Sequence, residues 1–260
     1  MTRVIGIISG KGGVGKTTVV ANLGSVIAQK FKKDVIVIDC NISTSHLGLY
    51  LGLYYTPVTL NQVLTGDAHI DDAIYQYHIH GLRVIPASLS FSDLKGVDIA
   101  KLKSTIKKLF GKADIILLDA APGLGREAMA TVKAADEVVF VNTPFVPSTM
   151  DIIKCHQVAN EMGVKSLGVV LNMVGKDKYE LTNKEVEELI ELPVISTIPM
   201  DKNVLRSLAL KMPVVLFSPN SPSSKEFVRL AAKIVGEEYI EPKGMFSGIL
   251  EFFRPKRTEK

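Results

Sequence analysis

The stretch Ser9-Gly10-Lys11-Gly12-Gly13-Val14-Gly15-Lys16-Thr17-Thr18 constrains this chain more than any other. It follows the apolar run Val4-Ile5-Gly6-Ile7-Ile8 and opens a helical pattern over residues 18–29. Gly10, Gly15, Lys16 and Thr17 fill the fixed positions of G-x-x-x-x-G-K-[ST], in the strand, glycine turn and helix context that a phosphate-binding loop requires. Glycines without a Cβ let backbone N–H groups close around phosphate oxygens. The helix N-terminus adds the positive end of its dipole. Lys16 is expected to reach the β- and γ-phosphates and the Thr17 hydroxyl to hold Mg²⁺. Gly12, Gly13, Val14 and Thr18 are read with them as nucleotide-binding positions.

Around this loop, short apolar runs alternate with helical periodicity. Candidate strands cover residues 3–8, 35–38, 82–85, 114–118, 137–141, 167–171 and 194–196. They are rich in Val, Ile and Leu on both faces, as parallel strands between two helix layers are. The expected fold is α/β, a doubly wound, mostly parallel sheet flanked by helices. A length of 260 with 47% apolar residues suits one large domain. The net charge of +4 permits attraction to anionic surfaces without demanding nucleic acid. Cys40 and Cys155 form no C-x-x-C pair, which argues against a metal cluster and fits a reducing cytoplasm. The first apolar run is short and leads into the glycine loop, unlike a secretory signal. No apolar run approaches the length of a membrane-spanning helix.

Ligands of such sheets lie beyond the carboxyl ends of the strands, so acids there merit a reading. Asp39 ends the second apolar run and is placed to hold a magnesium-bound water beside Thr17. Asn41 follows as a turn or cap residue, or one that orients water. Asp119 follows four apolar residues, the Walker B arrangement, and is expected near Mg²⁺. Pro122-Gly123 then makes a turn that could swing with nucleotide state. His78 and His80 alternate in the chain with no third ligand nearby, which favours solvated loop histidines over a metal site. Lys101, Lys103, Lys107, Lys108 and Lys112 share a stretch with Ile99, Leu102, Ile106 and Leu109, the pattern of an amphipathic helix with a wet basic face.

The string Lys-Gly-Gly-Val-Gly-Lys-Thr resembles the deviant phosphate loop of the MinD/ParA family of ATPases, and the chain resembles its MinD branch over residues 1 to about 236. The resemblance implies ATP with Mg²⁺ and a homodimer formed on ATP, in which Lys11 crosses to the partner's nucleotide. Otherwise Lys11 neutralises phosphate in its own subunit. It also implies catalytic roles for Lys11, Lys16 and the position of Asn41. The family usually has Asp-x-Asp where this chain has Asp39-Cys40-Asn41, so the resemblance implies slow hydrolysis here. Residues 43–77 correspond to a region that senses nucleotide and faces the dimer partner. Asp119 to Glu127 correspond to switch II. Asn172 corresponds to a residue that reads the adenine edge, for which an amide both donates and accepts. Pro199 and Met200 correspond to the loop packed over the base. Asp201 is also an N-cap for a helix over residues 202–210.

Residues 237–244 read as a linker between the ATPase domain, 1–236, and a tail, 245–260. On a helical wheel Met245, Phe246, Ile249, Leu250, Phe252 and Phe253 fall within an arc of about 160°, and Arg254, Lys256 and Arg257 follow. That pattern suits lying in a bilayer interface, on an anionic surface through residues 245–257. It also resembles the membrane-targeting tail of the MinD branch. Docking onto its own domain is the alternative. The expected function is a dimerising ATPase, cytoplasmic and peripherally membrane-associated with ATP, acting in spatial regulation of cell division or polar machinery with a regulatory or cargo protein. The alternative is a ParA-like partition ATPase that binds DNA nonspecifically through Arg206, Lys211, Arg229 and Lys233.

Overall fold

The computed structural model describes residues 1–239. The strands are β1 (Arg3–Ile8), β2 (Val35–Asp39), β3 (Tyr75–Gln76), β4 (Leu82–Ile85), β5 (Ile115–Asp119), β6 (Glu137–Asn142), β7 (Lys165–Val174) and β8 (Val194–Pro199). They form one eight-stranded sheet in the order β3-β4-β2-β5-β1-β6-β7-β8. Every pairing is parallel except that of β3, which runs antiparallel to β4 at the edge.

Side chains alternate across the sheet with period two. In β1, Val4 and Ile8 enter one core, and Ile5 and Ile7 the other. The second core is covered by α1 (Lys16–Phe31), α2 (Leu47–Tyr50), α9 (Val214–Phe217) and α10 (Pro222–Val235). The first is covered by α3 (Leu60–Thr65), α4 (Leu102–Lys107), α5 (Arg126–Ala134), α6 (Val146–Glu161) and α7 (Asn183–Ile190). Between β8 and α9 lies α8 (Lys202–Ala209), a largely exposed helix. Fully buried Ile, Leu and Phe side chains such as Ile5, Leu23, Phe140 and Phe227 each contribute about 1.5–3 kcal/mol. Gly24 lets α1 lie close on β2, because a Cβ there would stand 2.7 Å from Val37 Cγ1.

This is the expected doubly wound architecture, with differences that have physical causes. The basic stretch is not one long helix. A 3₁₀ turn, Ile99–Lys101, runs into the short α4, and tight turns at Leu109 and Phe110 follow. Ile99, Leu102, Ile106 and Leu109 are nonetheless all buried, so the apolar spacing is satisfied by turns as well as by helix. The two-residue β3 has no run long enough to show in the sequence. Residues 245–260 and most of 237–244 lie outside the described residues, so the expectations for the linker and tail fall there. Among the described residues, no helix is long and apolar enough to cross a membrane.

Candidate nucleotide site

The phosphate loop leaves the carboxyl end of β1 at the middle of the sheet. Its shape is held by hydrogen bonds that need no ligand. Ser9 Oγ donates to the Lys11 carbonyl at 2.6 Å, and Lys16 Nζ donates to Ser9 Oγ at 2.7 Å. Gly15, with φ of 95°, caps α1 in the left-handed region that glycine tolerates. A Cβ at Gly15 would collide with Asn172 Nδ2, which donates to the Val14 carbonyl at 2.8 Å. Lys16 is only 7% exposed. Burial lowers its pKa, and the neighbouring Asp119 carboxylate opposes that shift.

Two acids end adjacent strands, with Asp39 of β2 in register with Asp119 of β5. Both are buried, but their surroundings differ. Asp39 Oδ2 accepts from Ser45 Oγ at 2.7 Å and from the N–H groups of His46 and Leu47 at 3.1 and 3.0 Å. Its Oδ1 accepts from the Asn41 N–H at 3.1 Å. Burial raises the Asp39 pKa, and these hydrogen bonds oppose it. Asp39 thus clasps the loop that follows β2. Asp119 has few such donors. Burial and then Asp39 push its pKa up to about 8, against the Thr17 hydroxyl and Lys16. Its Oδ1 is buried with no hydrogen-bond partner among the described residues. A carboxylate oxygen left bare beside a hydroxyl is the donor set a hard divalent cation takes, so Thr17 and Asp119 fit Mg²⁺. Asp39 is placed for the second shell, its oxygens already holding protein donors.

Asn41 lines the same cavity and also fills the turn role. Its Nδ2 donates to the Thr44 carbonyl at 2.7 Å, and its Oδ1 accepts from Thr44 Oγ1 at 3.0 Å. Lys11 is exposed, next in the chain to Gly12 of the cavity lining, and its Nζ lies 3.6 Å from Asp151 Oδ2 on α6 of its own chain.

The cavity over the loop holds about 580 Å³, within the range of small-molecule sites. Gly12, Gly13, Gly15, Lys16, Thr17 and Thr18 form its phosphate end. Asn172, against Gly15 and Val14, lines it beside the loop, and Pro199, Met200 and Leu205 line it as well. One N–H of the Asn172 amide donates to Val14, which leaves its second N–H and its Oδ1 for a ligand. Gly10 sits behind the loop, tight against Asp151.

Several site residues escaped the sequence reading. Ser9, which receives Lys16, was signalled only by adjacency to the motif. Ser45 and Glu127 fell within segments 43–77 and Asp119 to Glu127 that the resemblance marked, with no contact assigned to either; Glu127 accepts from the Ser43 hydroxyl and joins the loop after β2 to α5. Asp151 lies far along the chain. Elsewhere, His78 and His80 are exposed. Among the described residues no cluster of three or more His, Cys, Asp or Glu could hold a metal. Cys40 and Cys155 are buried free thiols. The basic residues considered for DNA are largely engaged locally. Lys211 lies over the Tyr54 ring at 4.2 Å, Arg229 pairs with Glu226, and Lys233 donates to the Ile195 carbonyl at 2.6 Å.

Comparison with known proteins agrees with this geometry. The family model for the CobQ/CobB/MinD/ParA nucleotide binding domain matches residues 5–214. An uncharacterised ATP-binding protein of Methanocaldococcus jannaschii is 37% identical over 239 residues, covering 92% of this chain and 90% of that protein. The septum site-determining protein MinD of Thermotoga maritima is 30% identical over 269 residues, covering 97% and 98%. The structure of MinD from Pyrococcus horikoshii complexed with Mg-ADP superposes with a TM-score of 0.87 at 32% identity, covering 90% of this chain and 96% of that one. The chain therefore belongs to the MinD/ParA family of P-loop ATPases and is related to the MinD cell-division proteins.

Proposed function

We propose that this protein is a MinD-type ATPase that dimerises on ATP and, as a dimer, associates peripherally with membrane from the cytoplasm. The observation that carries the ATPase reading is the buried Lys16, with Asp119 Oδ1 bare beside Thr17, at the closed end of a cavity of about 580 Å³. ATP and Mg²⁺ are the ligands of this site. Bound Mg²⁺ would supply charge neutralisation on the phosphates. The chain's own part is positional. The glycine backbone and Lys16 hold phosphate oxygens, and Thr17 and Asp119 hold the metal. Asn41 orients water, slowly because an amide takes no proton. The Asn172 Oδ1 is available to accept from the adenine amino group, and Pro199 and Met200 pack on the base.

The exposed Lys11 supplies the contact to a second subunit once it leaves Asp151. A single short amphipathic tail binds membrane weakly. Two tails on one dimer bind with avidity, because the second contact is intramolecular. ATP state would then switch membrane occupancy and so place a regulatory or cargo protein in the cell, in division or polar machinery.

The test is co-sedimentation with anionic liposomes, together with ATP turnover, for the full chain and for a chain lacking residues 245–260. Sedimentation is expected with ATP, to fall severalfold with ADP, and to vanish on deletion while turnover persists. Equal sedimentation with ADP would remove the switch. ATP-dependent, salt-sensitive retention on DNA instead of liposomes would replace this reading with partition.

A further inference from the structure

The groove between α4 and α5 is not part of the nucleotide site. It encloses about 450 Å³. Ile99 and Met129 contribute apolar surface, Leu124 stands exposed on its wall, and Lys103, Arg126 and Lys133 line it. All three cations are exposed, and among the described residues none has an ion-pair partner. Lys112, in the same lysine-rich stretch, is by contrast tied to Asp71. A wet basic face spreads its charges over polar surface. Here the charges surround an apolar cleft, which is the arrangement of a binding groove.

We propose that this groove docks an acidic amphipathic segment of a partner protein. Charge decides the occupant. Arg126 and Lys133 lie on one face of α5, about 10 Å apart along its axis, two helical turns. The complementary ligand carries carboxylates at that spacing on either side of an apolar side chain that enters between Ile99 and Met129. The chain's own tail has the wrong sign, since Arg254, Lys256 and Arg257 repel this rim. A nucleic acid strand would find no aromatic ring among the lining residues to stack on.

The groove also reaches the phosphate loop. Leu124 and Arg126 belong to the segment that leaves Asp119, and within it the Gly123 N–H donates to the Ser9 carbonyl at 3.0 Å. An occupant pressing on Leu124 therefore acts on a segment anchored to the nucleotide site. That coupling rests on the ATPase reading; the docking does not.

The experiment is fluorescence anisotropy on the full chain with a fluorescein-labelled amphipathic peptide of Glu and Leu. Its isomer with Lys for Glu, and phosphatidylglycerol vesicles, are run alongside. The Glu peptide is expected to bind saturably and the Lys peptide not to bind. The charge reversal K103E/K133E is expected to weaken binding by about tenfold or more, and K103R/K133R to retain it, with unchanged melting for both. Equal binding to K103E/K133E, equal binding of the Lys peptide, or no binding at about 1 mM peptide overturns the proposal. So does vesicle binding that K103E/K133E abolishes while the peptide is ignored, which would assign the groove to lipid. Peptide affinity that Mg-ATP leaves unchanged, in protein that binds ATP, upholds the docking and removes the coupling.

Discussion

A carboxylate buried among four donors is a different object from one with an oxygen left bare, and Asp39 and Asp119 are these two cases side by side. Ser45 makes the difference legible, because its one hydroxyl proton is aimed at Asp39 at 2.7 Å, with the Ala87 carbonyl at 3.0 Å as the competing acceptor. Ser45→Ala should lower stability by about 1.5–3 kcal/mol, the usual scale for a hydrogen bond to a buried charge. A thermal melt should show a loss of roughly 3–12 °C for a chain of this size. Asn41 presents the opposite question. Asn41→Asp keeps the backbone N–H to Asp39 and the acceptor for the Thr44 hydroxyl but loses the Nδ2 donor to the Thr44 carbonyl, so it should cost about 1 kcal/mol of stability while offering a carboxylate to the attacking water. ATP turnover is expected to rise about tenfold or more. An unchanged rate would mean that Asn41 does not set the pace. Of the residues at this site, Gly10 to Thr18 were legible because they are contiguous and their spacing is the chemistry. Asn172 with Val14 and Lys11 with Asp151 were not, because each pairing joins the loop to a residue more than a hundred positions away; Ser9 with Lys16 is local, seven positions apart, but Ser9 lies outside the fixed positions of the motif.

At the scale of elements, α8 is the part of the site wall with the least core beneath it, and its anchorage is polar. Asp201 accepts from the Asn203 N–H at 2.8 Å as N-cap and from Ser223 Oγ at 2.7 Å, which ties α8 to α10. Burial would raise the Asp201 pKa, but the Ser223 hydroxyl, the Asn203 amide and Ser221 outweigh it and hold it below the ordinary carboxylate value. A depressed pKa gives stability that is present above the unfolded value and lost as pH falls through the folded one. Asp201→Ala should therefore cost about 1 kcal/mol near neutral pH. The gap to wild type in denaturant titrations should close only well below pH 4. The element map itself was mostly readable, since Val and Ile runs of five or six residues mark buried parallel strands. The two-residue β3 and the 3₁₀ turn at Ile99 were not, because neither is long enough for a period to establish itself.

Across the whole molecule, the sheet order explains why distant residues meet. β1 lies between β5 and β6, so residues separated by more than a hundred positions converge on one loop. The lysine-rich stretch and α5 come together in the same way, and their shared groove is invisible to any reading that takes one helix at a time. The net charge of +4 averages over this unevenness. It hides a rim of exposed cations on one side and a pair of buried acids at the centre.

The hydrogen bond from Asn172 to the Val14 carbonyl spans 158 positions. A chain emerging from the ribosome makes the glycine loop almost at once, but makes its brace only when β7 has been synthesised and added to the sheet. A truncated or half-assembled molecule presents the motif without this brace. A chain truncated before Lys165 is therefore expected to bind ATP more weakly than the full chain, and nucleotide binding by the two checks it.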